Sequence, residues 1–251
     1  MNTPADVADE IADHLRASSD PGRALQVQAY LKSDLVHFGT SMPQIRAAVR
    51  GPGRALSHED MLDVVRMLWD EAAAAPIFER RMAAAVLLSD RQDILVASDL
   101  ALIGGLIGQS ETWALVDVLV PRPVGRISQR EPAATGQVLD QWAREDNFWL
   151  RRAALLAHLV PLREGDGDWG RFSGYAEAML DDREFFIRKA IGWVLRDTAR
   201  RRPDLVRDWV APRTDRMSGV TIREAVKRLQ PEDRDALMLA YREHRPATIP
   251  S

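Results

Sequence analysis

Apolar side chains recur along most of the chain at steps of three and four residues. Val7, Ile11 and Leu15 form one stripe, and Leu62, Val65, Leu68 and Trp69 form another. Met82, Ala85 and Val86 make a third, and Leu155, Leu156 and Leu159 a fourth. A helix of 3.6 residues per turn places each set on one face. Alternating apolar and polar runs, Asn-Gly turns and β-branched stretches are scarce, which argues against a sheet. Breakers separate the periodic blocks: Pro21-Gly22, Gly51-Pro52-Gly53, Pro76, Pro121 and Pro123, Gly165 and Gly167, Pro203, Pro212 and Pro231. Ser57, with Asp60 three residues on, and Ser218, ahead of Thr221, are expected helix N-caps.

The blocks pair up as 58–74 with 77–89, 131–145 with 148–160, and 184–202 with 204–210. Two-helix units of about 40 residues set side by side are the pattern of HEAT-like repeats. The expected fold class is therefore all-α, with HEAT-like helical repeats stacked as a curved α-solenoid. An irregular helical bundle is the alternative. No long linker interrupts the pattern, so residues 1–251 are expected to form a single domain, with 164–170 as a surface loop.

Composition narrows the chemistry. With no cysteine in 251 residues, a disulfide framework, thiol catalysis and Cys-containing zinc sites are excluded. No apolar run nears the ~20 residues of a bilayer span. Met1–Asp6 lacks the basic and apolar parts of a secretory signal, so a soluble, cytoplasmic protein is expected. The formal charge is −3, but it is unevenly spread. Residues 183–230 hold 13 Lys/Arg against 6 Asp/Glu. Such a stretch is either a polyanion-binding surface or a solvated, arginine-rich helix face.

Familiar small-molecule sites are missing. Gly104-Gly105 and Gly108 lie in an apolar stretch without a following Lys-Ser/Thr, so no phosphate loop forms. His14, His37, His58, His158 and His244 never fall at metal-ligand spacing. Neither a metal nor a nucleotide cofactor is expected. His158, within an apolar helix, is expected at a satisfied core or groove position.

Three segments stand out. In 111–120, Trp113 and Asp117 are four apart and share a helix face. Asp117 sits among Leu115, Val116, Val118 and Leu119, where a carboxylate is paired, capping or held for chemistry. A salt bridge to an arginine of the next repeat accounts for it equally well. In 146–155, Asp146 or Asn147 can cap a helix whose first turn carries Arg151 and Arg152. Cations beside free amides form a phosphate site, or they are plain surface arginines, the preferred reading for Arg151. In 184–196, Gly192 inside a helix costs about 1 kcal/mol relative to alanine, which suggests a close neighbour. Trp193 is either core or the wall of a groove rimmed by Arg188, Lys189 and Arg196.

Taken together, these segments resemble the AlkD-type DNA glycosylases, HEAT-like-repeat proteins that remove alkylated purines. The resemblance runs through Tyr30-Leu31-Lys32, Phe38-Gly39, Pro43-Gln44-Ile45-Arg46 and Trp113 through Asp117. It continues in Asp146 to Ala154 and is strongest from Phe185 to Arg196. It implies that Asp117 is the catalytic carboxylate and that Trp113 and Trp193 flank the lesion. It also implies that Arg152 lies near the DNA backbone and Tyr30 in the groove, with Arg188 and Lys189 as further DNA-binding residues. Ala114, where relatives often carry an aromatic residue, and the long 164–170 loop are departures that bear on lesion preference.

The implied activity is hydrolysis of the N-glycosidic bond of purines alkylated at N3 or N7, in duplex DNA. Family members leave the base largely stacked, and bulky adducts would then be admissible. The implied partner is double-stranded DNA, with no membrane, and the expected state is a monomer. A different class of function, a non-catalytic HEAT-like scaffold for DNA or protein, is the alternative.

Overall fold

The computed structural model describes residues 3–69 and 74–244. The chain forms two compact units, residues 1–135 and 136–251. The first contains α1 (Pro4–Ala17), α2 (Pro21–Leu31), α3 (Met42–Gly53), α4 (His58–Trp69), α5 (Phe78–Asp90), α6 (Leu100–Gly108), α7 (Trp113–Leu119) and α8 (Gly125–Arg130). Helix α9 (Pro132–Trp142) follows. The second unit continues with α10 (Phe148–Leu156), α11 (Leu159–Glu164), α12 (Trp169–Ala178), α13 (Phe185–Thr198), α14 (Pro203–Val210), α15 (Gly219–Ala225) and α16 (Pro231–Glu243). The protein is thus all-α, as the periodicity predicts. Among the described residues the only β pairing is an isolated parallel bridge between Val36 and Ile77. No described helix is long and apolar enough to cross a membrane.

Each unit is organised around one buried helix. In the first it is α5, where Phe78, Met82, Ala83, Ala84, Ala85, Val86, Leu87 and Leu88 are all buried, so most of its circumference is covered. Its alanines let α3, α4 and α7 approach closely. In the second unit it is α13, which packs against α10, α11, α14 and α15. Ile187, Ala190, Ile191, Val194 and Leu195 on α13 are completely shielded from solvent. Each such leucine or isoleucine contributes about 1.5–3 kcal/mol through burial.

Buried charge fixes the turns of the first unit. Glu79, 1% exposed, accepts hydrogen bonds from the backbone amides of Phe38 and Gly39, both at 2.8 Å. Gly39 has φ +81°, and a Cβ there would lie 2.1 Å from the carbonyl oxygen of Asp20. Only glycine fits that turn. The Phe-Gly pair therefore has a structural cause.

Expected caps form: the Asp60 amide donates to Ser57 Oγ and the Thr221 amide to Ser218 Oγ, each at 3.1 Å. Other boundaries differ. The expected helix 58–74 is seen as α4 through Trp69, and 70–73 lie outside the described residues. Block 148–160 is two helices, because Pro161 cannot donate to the Ala157 carbonyl and the chain turns at 157–158. The loop expected over 164–170 shrinks to 165–168. Gly165 closes α11 in a left-handed conformation, and the Asp168 side chain caps α12. Pro121 and Pro123 do not break the chain. Residues 120–124 form a π-helical turn that carries α7 into α8. The Gly125 amide reaches back to the Val120 carbonyl, so the wider turn absorbs two residues that lack an N–H. Pro21, Pro203 and Pro231 stand at helix starts, where a missing amide is harmless.

Candidate active site and nucleic-acid interface

In the first unit the candidate residues are held from behind by α4 and α5. Trp69 Nε1 donates to Gln109 Oε1 at 2.9 Å, and Arg81, buried, donates to the Gln109 carbonyl at 2.8 Å. The Arg81 guanidinium also lies 5.0 Å from the Trp69 ring. This clamp secures the turn between α6 and α7. Glu111 within that turn has φ +56°, a conformation that a side chain with a Cβ adopts at a cost of about 1–3 kcal/mol. Thr112 then caps α7, with the Ala114 amide donating to its Oγ1 at 3.4 Å. Strain, cap and clamp together set the direction in which α7 leaves.

Along α7, Leu115, Val116 and Leu119 are fully buried, whereas Trp113 and Asp117 are only half-buried. The carboxylate thus belongs to the partly exposed face of an otherwise apolar helix. Tyr30, 73% exposed at the end of α2, meets Trp113 edge to face, with ring centroids 6.0 Å apart and planes at 82°. Three of the residues singled out by sequence, Tyr30, Trp113 and Asp117, therefore fall within one patch of the first unit. Just beyond Asp117 comes the π-turn. After it, α8 is anchored by Arg130, which donates to the carbonyls of Gln92, Asp93 and Leu95.

In the second unit, α10 is capped by Asn147, whose Oδ1 accepts from the Trp149 amide at 2.9 Å. Of the two possible caps, Asn147 is the one used. Trp149 is buried, as expected, but Leu150 is only half-buried. Arg151 is not a plain surface arginine. It bridges Asp182 at 3.2 Å and donates to the carbonyls of Glu145 and Asp146, tying α10 to the segment before α13. Arg152, expected beside the DNA backbone, is 2% exposed. It donates to the Phe186 carbonyl at 2.5 Å, with its guanidinium 5.8 Å from the Phe186 ring. Phe148, Trp149, Phe185 and Phe186 stack around this point.

Helix α13 presents a stripe at four-residue steps. Phe185 is 51% exposed, Lys189 is exposed, and Trp193 is half-buried. Lys189 Nζ lies 5.9 Å from the Phe185 ring. Trp193 therefore lines the accessible face rather than the core. Arg188 Nε donates to the Asp182 carbonyl at 2.7 Å. Arg196, expected on the rim, is ion-paired with Glu224 and Asp197. Gly192 has the predicted close neighbour: a Cβ there would lie 2.7 Å from Glu224 Cβ and 2.8 Å from the Thr221 carbonyl oxygen. The approach is by helix α15.

His158 is buried, but its Nε2 has no hydrogen-bond partner, so it is not the satisfied core histidine expected. Burial pushes its pKa down to about 4 and keeps the ring neutral. Sequence reasoning passed over Phe185, although its spacing from Lys189 and Trp193 was visible. It also passed over Trp69, Arg81 and Glu79, which lie far in sequence from the turns they hold.

A family model described as DNA alkylation repair enzyme matches residues 11–229. The chain belongs to that family. Among solved structures, a predicted DNA alkylation repair enzyme from Enterococcus faecalis superposes with a TM-score of 0.74 at 21% identity, covering 85% of this chain and 98% of its own. AlkD2 from Streptococcus mutans superposes with a TM-score of 0.57 at 16% identity, over 82% of this chain and 99% of its own. At these identities the DNA alkylation repair likeness to both structures is one of fold. No curated protein matches the sequence.

Proposed function

We propose that the protein is a monofunctional DNA glycosylase that hydrolyses the N-glycosidic bond of N3- or N7-alkylated purines in duplex DNA. The observation that carries this reading is the half-exposed Asp117 on an apolar helix, beside Trp113 and Tyr30, in a chain of a DNA alkylation repair family. An alkylated purine is cationic and already a good leaving group. Its departure leaves an oxocarbenium-like deoxyribose. Asp117 stabilises that charge and orients the attacking water, and such a contact supplies 10²–10³ in rate, about 3–4 kcal/mol. Trp113 and Trp193 offer indole faces to the cationic nucleotide, of order 0.5–2 kcal/mol each.

Tyr30, Lys189 and Arg188 are the accessible members of the DNA-binding set. Arg152 acts in this reading by fixing the first turn of α13, from which Arg188 and Lys189 project. A patch of indole, carboxylate and cation suits grip on the backbone without extrusion of the base, and the enzyme would then tolerate bulky adducts.

The test is release of 7-methylguanine from methylated duplex by the wild type and by Asp117→Asn. Excision is expected to collapse while duplex binding stays within about twofold. Binding without excision by the wild type would return the protein to the scaffold reading.

A further inference from the structure

A cavity of about 510 Å³ opens in the second unit between the start of α13, the start of α15 and α16. Its lining includes Arg188, Arg216 and Arg223, with Asp181 as its one acidic residue. That acid is already engaged: Arg216 donates to it at 2.7 Å and also pairs with Glu177. Arg223 makes no hydrogen bond to any described residue. Arg188 uses Nε on the Asp182 carbonyl and leaves its terminal nitrogens without a protein acceptor. Two guanidinium forks therefore keep donors directed to solvent.

The floor is shaped to leave room for an occupant. Gly219 has no side chain, and a Cβ there would lie 2.7 Å from an Arg223 terminal nitrogen and 2.9 Å from the Tyr241 hydroxyl. Any larger residue would displace Arg223 and fill the space. Gly192 likewise lets α15 draw up against α13, with Thr221 Oγ1 donating to the Arg188 carbonyl at 3.1 Å. That contact fixes Arg188 relative to Arg223.

From this geometry we infer that the cavity is a seat for a single phosphate group, held by Arg188 and Arg223, with Arg216 and the Tyr241 hydroxyl at its edge. Planar guanidinium forks match phosphate oxygens two at a time, which a lysine cannot do. The inference rests on the DNA glycosylase reading only for the source of the phosphate, a backbone phosphodiester of the bound duplex. In that role the seat anchors the strand through the second unit and sets its register.

Titration of the full-length protein with sodium pyrophosphate at low ionic strength, followed calorimetrically, tests the seat itself. One equivalent is expected to bind. Arg223→Gln and Gly219→Ala should each weaken binding at least tenfold, and Arg228→Gln, at an exposed arginine outside the cavity, should not. Equal affinity in all four proteins, or no binding by the wild type, overturns the seat. A second arm uses undamaged duplex DNA. Arg223→Gln should make the dependence of log K on log salt shallower by about 0.9, the signature of one phosphate contact. Lost pyrophosphate binding with an unchanged slope would overturn the backbone as source and assign the seat to a free phosphate compound. Neither arm contains a lesion, so a failed Asp117→Asn assay leaves both outcomes readable.

Discussion

Helices α7 and α13 carry the two candidate tryptophans and are built in opposite ways. Helix α7 is a short, peripheral element docked on the buried α5, entered through a strained Glu111 and left through a π-turn with two prolines. Helix α13 is itself the buried centre of its unit, fourteen residues long and regular, with Gly192 notched to receive α15. A side chain on α7 can be changed with little effect on packing. A change in the packed face of α13 disturbs four neighbouring helices. Perturbations near Asp117 should therefore register first in rate, and perturbations around α13 first in stability.

The largest expected separation comes from Asp117→Asn. It should lower excision by 10²–10³, about 3–4 kcal/mol of transition-state stabilisation, with a midpoint of denaturation close to the wild type. An equal loss of stability and activity would erase the contrast between the helices. Next is His158, at the turn between α10 and α11, which packs against α13. The unfolded chain takes up this proton near pH 6.5, whereas the folded protein holds the ring neutral down to about 4. The stability of the neutral ring is present above pH 6.5 and is lost as the pH falls between those values, by roughly 3 kcal/mol. Urea unfolding at pH 7.5 and 4.5 should show this loss in the wild type and a smaller one in His158→Gln.

Gly192→Ala should cost about 1–2 kcal/mol, since crowding against the Thr221 carbonyl outweighs the gain in helix propensity. Thermal melting would show it, and unaltered melting would mean that α15 gives way freely. The smallest effect belongs to Tyr30→Leu. Loss of the edge contact to Trp113 is worth about 0.5–1.5 kcal/mol, reduced by exposure, and should appear as a weaker grip on duplex DNA more than as a lower Tm.

Much of this arrangement was legible before any coordinates. Periodicity located the helices, and the pairing of α4 with α5 follows from apolar stripes such as Leu62, Val65 and Leu68. The four-residue spacing of Trp113 and Asp117 placed them on one face. Long-range closures were not legible. Nothing near Glu79 indicates that its carboxylate binds amides some forty positions away. Arg151 and Arg152 look alike in sequence, yet one ends in an ion pair with Asp182 and the other in an aromatic cluster, because their partners lie beyond the next helix. Pro121 and Pro123 misled for a local reason. Proline forbids the α-helical hydrogen bond but tolerates the wider ring, and composition does not distinguish the two.

The wide turn at Val120–Val124 has a consequence for the helical phase. An α-helix advances about 100° per residue, so the extra residue in that turn rotates everything after it by about that angle. Ile127 points into the core and Asp117 toward the accessible face only at this offset. Shortening the segment by one residue would straighten the rod, and either the acid would swing away from Trp113 and Tyr30 or Ile127 would be driven into water. Two prolines thus act as a fixed vernier between the reactive helix and its anchor, and chain length there is as strictly set as residue identity.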